Sequence, residues 1–352
     1  MRPVFPLLFA GLALSLAGCT SPSSTSGGPA GPAGAPNSAP SAGPASAGTI
    51  KLGVMPKQIG IPYFNACKQG AEEAAKELGD VDMTYDGPTE DKSEEQSRIL
   101  DTWRIKKFNA IAVACNDPEQ ISTSIGRCRD EGITAITWDA DANPAASKRQ
   151  FFVNQAGAQD LSMALVDEMA KQAGESATVG VVSSSPTAPN QSAWLKVMEE
   201  YRAKKYPKMK ILEPEYAGEN QIKSEEKAQS ILKVHSDVKG IFGMTSVAFP
   251  GAANAVKKAG KAGQVAVVGL GTPKDMKPFV DEGVVKTVVL WNPIDLGYLT
   301  VYVARAAAKG ELKPGDTELK AGRLGTMAIK GNEVLLGKPM LFTKDNIGKF
   351  DF

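Results

Sequence analysis

Ile133-Thr134-Ala135-Ile136-Thr137-Trp138-Asp139-Ala140-Asp141 is an apolar run of strand-forming residues that ends abruptly in an aromatic and two carboxylates two positions apart. In an open α/β sheet, ligands sit outside the carboxyl ends of parallel strands, so charges placed there read as site rather than scaffold. A carboxylate at a strand end accepts two hydroxyl hydrogen bonds from a polyol, and a flat indole covers a sugar's apolar C–H face. The same spacing also fits a solvated turn with helix-capping aspartates. Asp139-x-Asp141-x-Asn143 opens like a calcium loop, but Pro144 stands where the turn glycine belongs and Gln150 where the bidentate glutamate belongs. No metal is expected.

Outward from this strand, apolar strands alternate with amphipathic helices in both directions. Upstream lie strands at 50–55, 81–85 and 110–115 and helices at 63–78, 93–106 and 118–131. The first helix carries Phe64, Cys67, Ala71, Ala74, Ala75 and Leu78 on one face, and Gly79 ends it. A second cycle begins after Phe151-Phe152-Val153-Asn154-Gln155 and runs to a helix at 294–309. Its strands are read at 178–183, 210–212, 240–244, 264–269 and 285–291. The alternation implies an α/β fold of two lobes, each a parallel sheet flanked by helices, with a cleft at the strand ends. The expected first lobe is 49–155 plus 271–325, and the second is 156–270 plus 326–352.

The whole chain bounds the chemistry. Its 352 residues suffice for two domains of ordinary size, and a net charge of +1 offers no nucleic-acid surface. The only histidine, His235, falls in a polar connection and is expected to be exposed. With this one histidine in a polar connection, the Ser-His-Asp and Cys-His arrangements and the His-based zinc sites nearly all lose their base or ligand. Of the four cysteines, Cys67, Cys115 and Cys128 match no zinc spacing. At most one disulfide can form among them, and the default reading is buried small hydrophobes.

Residues 1–19 form an export signal: Arg2 supplies the positive start, and an apolar core from Val4 to Leu16 follows. Leu16-Ala17-Gly18-Cys19 matches the lipobox of bacterial lipoproteins, in which the cysteine is lipidated. Membrane contact through that lipid alone is expected. Residues 20–48 are almost entirely Ser, Thr, Gly, Pro and Ala, which bury too little apolar surface to offset their ordering entropy, so this stretch reads as a disordered tether.

Polar or aromatic groups recur at the strand ends of both halves: Lys57, Asn116-Asp117, Trp138-Asp139-Ala140-Asp141, Ser184-Ser185-Pro186-Thr187, Met244-Thr245-Ser246 and Trp291-Asn292. Recurrence in both halves fits a cleft that encloses a small polar ligand. Gly269-Leu270-Gly271 resembles part of a dinucleotide fingerprint but lacks the third glycine and the distal acid, and no Walker-type run exists, so no cofactor is expected.

From about residue 50 onward the chain resembles the sugar-type periplasmic binding proteins that serve ABC importers, in the branch of the rhamnose-binding and autoinducer-2-binding proteins. The resemblance is carried by Val54-Met55-Pro56-Lys57, Thr84-Tyr85-Asp86-Gly87-Pro88-Thr89, Thr137-Trp138-Asp139, Val153-Asn154-Gln155, Ser184-Ser185-Pro186-Thr187, Asn190-Gln191, the stretch from Leu290 to Tyr298, and Asn346 to Phe352. It implies a two-lobed fold joined by three crossovers, closing on ligand like a hinge. It also implies ligand contacts at Lys57, Asp139, Asn190, Gln191, Met244 and Ser246. Lys57, Asp139 and Gln191 match the autoinducer-2 pattern. Asn190, Met244 and Ser246 depart from it, and the loss of a carboxylate at Asn190 turns the resemblance toward the rhamnose-binding side.

The expected function is therefore capture of a monosaccharide or related small polyol by a monomeric, lipid-anchored, extracytoplasmic protein that delivers it to an ABC permease. Asp139 would accept ligand hydroxyls, with Lys57, Asn190 and Gln191 contributing from the two lobes. Phe64, Trp138 and Trp291 are candidates for stacking, core packing being an equal alternative for each, and Thr245 and Ser246 add hydroxyls. Asp141, Met244 and Asn292 complete the expected set. Autoinducer-2 binding and uptake, or a signalling sugar receptor of the same fold, are the alternatives these residues leave open. A DNA-binding repressor needs an N-terminal helix-turn-helix where this chain has a lipobox and tether. An enzyme would need a base, metal set or cofactor loop that the chain lacks.

Overall fold

The computed structural model describes residues 48–352. The expected signal peptide, the lipidation at Cys19 and the tether up to residue 47 lie outside the described residues. The first half runs β1 (Ile50–Met55), α1 (Pro62–Leu78), β2 (Val81–Tyr85), α2 (Ser93–Ile105), β3 (Ala110–Val113), α3 (Pro118–Asp130), β4 (Thr134–Trp138), α4 (Pro144–Ser147) and β5 (Phe151–Asn154). The second runs α5 (Ala158–Ala173), β6 (Thr178–Ser183), α6 (Pro189–Lys205), β7 (Lys210–Ile211), β8 (Glu215–Tyr216), α7 (Gln221–Val234), β9 (Val238–Gly243), α8 (Ala248–Lys258), β10 (Ala266–Gly269), α9 (Pro273–Asp281) and β11 (Val288–Leu290). Helix α10 (Pro293–Ala308) and strands β12 (Glu318–Lys320), β13 (Thr326–Lys330), β14 (Glu333–Leu335) and β15 (Met340–Phe342) close the chain.

Strands β3 and β4 are buried at every position, as expected of parallel strands covered on both faces. Side chains on β3 alternate: Ala110 and Ala112 join the larger core, while Ile111 and Val113 pack with Leu100, Trp103 and Ile121 on the opposite face. Local chemistry sets the helix ends. Asp117 accepts from the backbone N–H groups of Glu119 and Gln120 ahead of Pro118, and Gly79 ends α1 in the left-handed region at φ 69°.

The first sheet has the order β12-β13-β14-β5-β4-β3-β1-β2, and the second β10-β9-β6-β7 with β8 also pairing β6. Strand β11 pairs antiparallel with β15, and a parallel bridge from Leu270 to Val289 ties that pair to the end of β10. The chain thus passes between the lobes three times: after β5, after β11 and after β14. This is the two-lobed α/β architecture expected, with different lobe boundaries. Residues 273–290 pack with the second lobe, because β11 continues its sheet. Residues 318–335 belong to the first, because β14 pairs parallel with β5 and β13 pairs with β14.

Helices α1 and α10 touch backbone to backbone. A Cβ on Gly70 would fall 1.7 Å from the Ile294 carbonyl oxygen, and one on Gly297 would fall 1.8 Å from that of Cys67. This contact fixes the middle of α1 against the first turn of α10. Cys67, Cys115 and Cys128 are all unpaired and buried. His235 is half-buried at the end of α7 rather than exposed. Among the described residues, no helix is long and apolar enough to cross a membrane.

Candidate functional site

A cavity lies between the lobes at the strand ends, where ligands bind in open α/β sheets. Nine of the residues singled out from sequence line it: Lys57, Phe64 and Asp139 from the first lobe, Asn190, Gln191, Met244, Thr245 and Ser246 from the second, and Trp291 from a crossover. Tyr63, Trp194, Glu219, Leu270 and Leu290 complete the lining.

Asp139 directly follows β4 with φ 60°, a left-handed conformation that a short polar side chain tolerates and most residues do not. Its N–H donates to the Val153 carbonyl at 3.1 Å, and the Ala140 N–H closes a tight turn on the Trp138 carbonyl. The carboxylate is only 4% exposed. Burial raises its pKa to about 6, while the Lys57 ammonium and hydrogen bonding to Tyr63 pull the other way. Tyr63 is set for this role because its hydroxyl accepts from Trp291 Nε1 at 2.9 Å, which leaves its own proton free.

From the second lobe, Gln191 is oriented by three donors. Its Oε1 accepts from Ser183 Oγ at 2.7 Å, the Ser184 N–H at 3.0 Å and Ser184 Oγ at 2.7 Å. Its amide NH2 is thereby directed at Glu219, 3.5 Å away. Burial lifts Glu219 to a pKa of about 7; Lys57 lowers it, and Asp91 and Asp139 raise it. Asn190 Oδ1 accepts from Lys57 Nζ at 3.1 Å across the cleft and from the Gln191 N–H at 3.0 Å. Thr245 Oγ1 accepts from the Val247 and Ala248 N–H groups and starts α8, while its hydroxyl proton remains to donate.

Aromatic rings form one wall. Trp291 meets Tyr63 edge-on at 6.0 Å and Trp194 at a tilt at 6.0 Å, and Phe64 stands 5.0 Å from Tyr63. Opposite in character is an aliphatic patch. Met244, Leu270 and Leu290 end the neighbouring strands β9, β10 and β11, and all three are buried.

Three expected site residues lie elsewhere. Trp138 is fully buried behind Phe64, edge-on at 5.9 Å, with its indole N–H donating to the Met55 carbonyl at 3.1 Å. Asp141 is held by Arg149 in a two-pronged ion pair at 2.6 and 2.5 Å, and also accepts from Thr137 Oγ1 and the Ala142 N–H. Asn292 caps α10, accepting from the Ile294 and Asp295 N–H groups and donating to the Asp295 carboxylate. The sequence pattern does not single out Tyr63, Trp194, Glu219, Leu270 or Leu290 as site residues. Tyr63 adjoins Phe64 and was visible as an aromatic pair at a helix start, but nothing in the sequence marks Glu219. Among the described residues, no group of three or more His, Cys, Asp or Glu side chains could hold a metal ion.

A family model described as a periplasmic binding protein domain matches residues 52–312. The D-allose-binding periplasmic protein of Escherichia coli K12 is 24% identical over 253 residues, covering 69% of this chain and 80% of its own length. The D-apiose import binding protein of Paraburkholderia graminis is 25% identical over 294 residues, covering 82% and 86%. Among solved structures, a sugar ABC transporter protein from Actinomyces odontolyticus is 30% identical, with a TM-score of 0.68 and coverage of 86% of this chain and 98% of its own. A solute-binding protein from Clostridium phytofermentas with bound L-rhamnose is 26% identical, with a TM-score of 0.82 and coverage of 86% and 98%. LsrB from Clostridium saccharobutylicum in complex with AI-2 reaches a TM-score of 0.81 over 86% of this chain and 100% of its own, but at 24% identity that likeness shows the fold alone. The chain belongs to the periplasmic binding protein family, as an extracytoplasmic substrate-binding protein and not an enzyme.

Proposed function

We propose that this protein captures a neutral monosaccharide, a rhamnose-like deoxyhexose by preference, and hands it to an ABC permease. It works as a monomer, held at the membrane by a lipid on Cys19. The observation that carries the sugar reading is the composition of the cavity: a buried carboxylate and an ammonium from one lobe face amides and hydroxyls from the other, beside an aromatic wall. Such groups satisfy ring hydroxyls in both directions, while the rings cover C–H faces.

The preference for a deoxy sugar is supported by Met244, Leu270 and Leu290. Three aliphatic side chains in one patch leave a hydroxyl there unpaired, which costs about 1–3 kcal/mol, whereas a methyl group is accommodated. A calorimetric panel of L-rhamnose, D-ribose, D-allose, D-apiose and autoinducer-2 tests this. L-rhamnose is expected to bind most tightly and to raise the melting temperature most, since ligand held only by the folded state stabilises it. Tighter binding of autoinducer-2 overturns the deoxyhexose choice. Absence of binding across the panel overturns the sugar reading.

A further inference from the structure

In the second lobe, position 190 holds an amide, not a carboxylate, and its geometry removes it as an acceptor for ligand. Asn190 Oδ1 is taken by Lys57 Nζ and by the Gln191 N–H, so the group left to face ligand is a donor. Gln191 is likewise committed, its oxygen saturated by Ser183 and Ser184. The cleft nevertheless contains a second-lobe carboxylate, from a segment with no part in the expected site.

Glu219 sits between two anchors. The Ala217 and Gly218 N–H groups donate to the Ser183 and Ser184 carbonyls at 2.9 Å each, pinning the chain to the end of β6. Gly218, at φ 65°, then turns the chain, and Asn220 caps α7 through the Lys223 N–H at 2.9 Å. The carboxylate lines the cavity and, among the described residues, accepts only the long bond from Gln191 Nε2. A carboxylate offers about four lone-pair sites, so most of its accepting capacity is unused. It faces Lys57, Asp91 and Asp139 across the cleft.

We propose that Glu219 supplies the second-lobe carboxylate of this cleft, so that ligand is clasped between Asp139 and Glu219 and must offer hydroxyl donors to both while carrying no negative charge. This inference rests on the sugar-binding reading and narrows it to uncharged polyols, excluding uronates, aldonates and sugar phosphates. A buried anion beside two carboxylates and a single lysine would be repelled more than it is attracted. The raised pKa of Glu219 is consistent with this role, because hydroxyl donors favour the ionised form and binding should expel its proton.

The test is calorimetry with L-rhamnose and D-glucuronate at about pH 6.5, a value near the raised carboxylate pKa values, in two buffers of different ionisation enthalpy. The variants are Glu219→Gln and Asp139→Asn. Wild type is expected to bind L-rhamnose with proton release and to ignore D-glucuronate. Glu219→Gln should lose about ten- to a hundredfold in affinity and release fewer protons, with ligand-free melting no lower than wild type. Affinity and proton release unchanged in Glu219→Gln, with Asp139→Asn impaired, would reject Glu219 and leave the sugar reading intact. Wild-type binding of D-glucuronate as tight as that of L-rhamnose would also reject it. If wild type binds neither L-rhamnose nor any other sugar of the panel, the sugar reading falls and takes this inference with it.

Discussion

Lys57 Nζ lies 3.1 Å from Asn190 Oδ1, and the two residues belong to different lobes. Lys57 follows β1, where the Asn116 amide fixes its backbone carbonyl at 3.0 Å, and Asn190 opens α6. The lysine is 3% exposed, and its charge lowers the pKa values of Asp91, Asp139 and Glu219 together. One side chain therefore joins the lobes and sets the electrostatics of the cavity.

Lys57→Met should keep the aliphatic stem and remove both effects. Affinity for the best sugar should fall by about tenfold or more, through lost charge-assisted hydrogen bonds. The pH at which binding becomes half-maximal should also move upward, because both carboxylates lose the cation that holds them down. A pH series of calorimetric titrations reads both. A variant with wild-type affinity and an unmoved midpoint would remove Lys57 from the site.

Stability and affinity should depend on pH in opposite senses. In the ligand-free folded protein Asp139 titrates at about 6 and Glu219 at about 7, both raised first by burial. In the unfolded chain both ionise near about pH 4. Between those values the folded state keeps protons the unfolded state has lost, so the stability these groups contribute is present at low pH and lost as pH rises through 6 and 7. Hydroxyl donors bind the ionised carboxylates, so affinity should climb over that window by at most about tenfold per pH unit for each proton released. Ligand-free melting temperatures and affinities measured from about pH 5 to about pH 8 would show the crossing trends. Affinity flat across this range would mean that neither carboxylate accepts from ligand.

Much of this architecture is legible in the sequence because parallel strands buried on both faces read as unbroken apolar runs, and residues such as Asp139 interrupt them abruptly. Lobe membership near the C-terminus is not. Strands β12 and β14 are three residues each and carry charges, and β14 is tied to the first lobe by its pairing with β5, far upstream. An aromatic at a strand end also reads the same whether it faces the cavity or backs its wall. Trp291 does the first, whereas Trp138, its N–H satisfied by Met55, does the second. Glu219 was invisible because its place depends on hydrogen bonds to Ser183 and Ser184, not on any local pattern.

The contact of α1 with α10 predicts a packing mutant that reaches the site. Gly70→Ala puts a methyl carbon against the Ile294 carbonyl, a backbone group that cannot rotate away. Overpacking costs about 1–3 kcal/mol, and more where backbone must move, so the melting temperature should drop by several degrees. Binding should weaken as well, since α1 carries Tyr63 against Trp291 and Phe64 against Tyr63. Chemical denaturation and calorimetry on Gly70→Ala check this; a variant as stable as wild type would show that the helices separate easily.

The two aspartates after β4 should separate completely when neutralised one at a time. Asp139→Asn retains the shape and tolerates the left-handed backbone, as asparagine does. It replaces a two-oxygen acceptor in a closed cleft with a group that turns an NH2 toward one hydroxyl, an unpaired contact worth about 1–3 kcal/mol. Affinity should therefore fall about ten- to a hundredfold, with ligand-free melting equal to or above wild type because a buried carboxylate has gone. Asp141→Asn should do the reverse. Its carboxylate meets Arg149 with two bonds and accepts from Thr137 and Ala142, so the amide leaves a half-buried guanidinium without its counter-charge. Stability should fall by about 1–3 kcal/mol, with affinity nearly unchanged because Asp141 does not line the cavity. Paired melting and calorimetric measurements on the two variants decide the matter. Loss of affinity in Asp141→Asn at unchanged stability would return that residue to the site, and loss of stability in Asp139→Asn at unchanged affinity would reduce Asp139 to a turn residue.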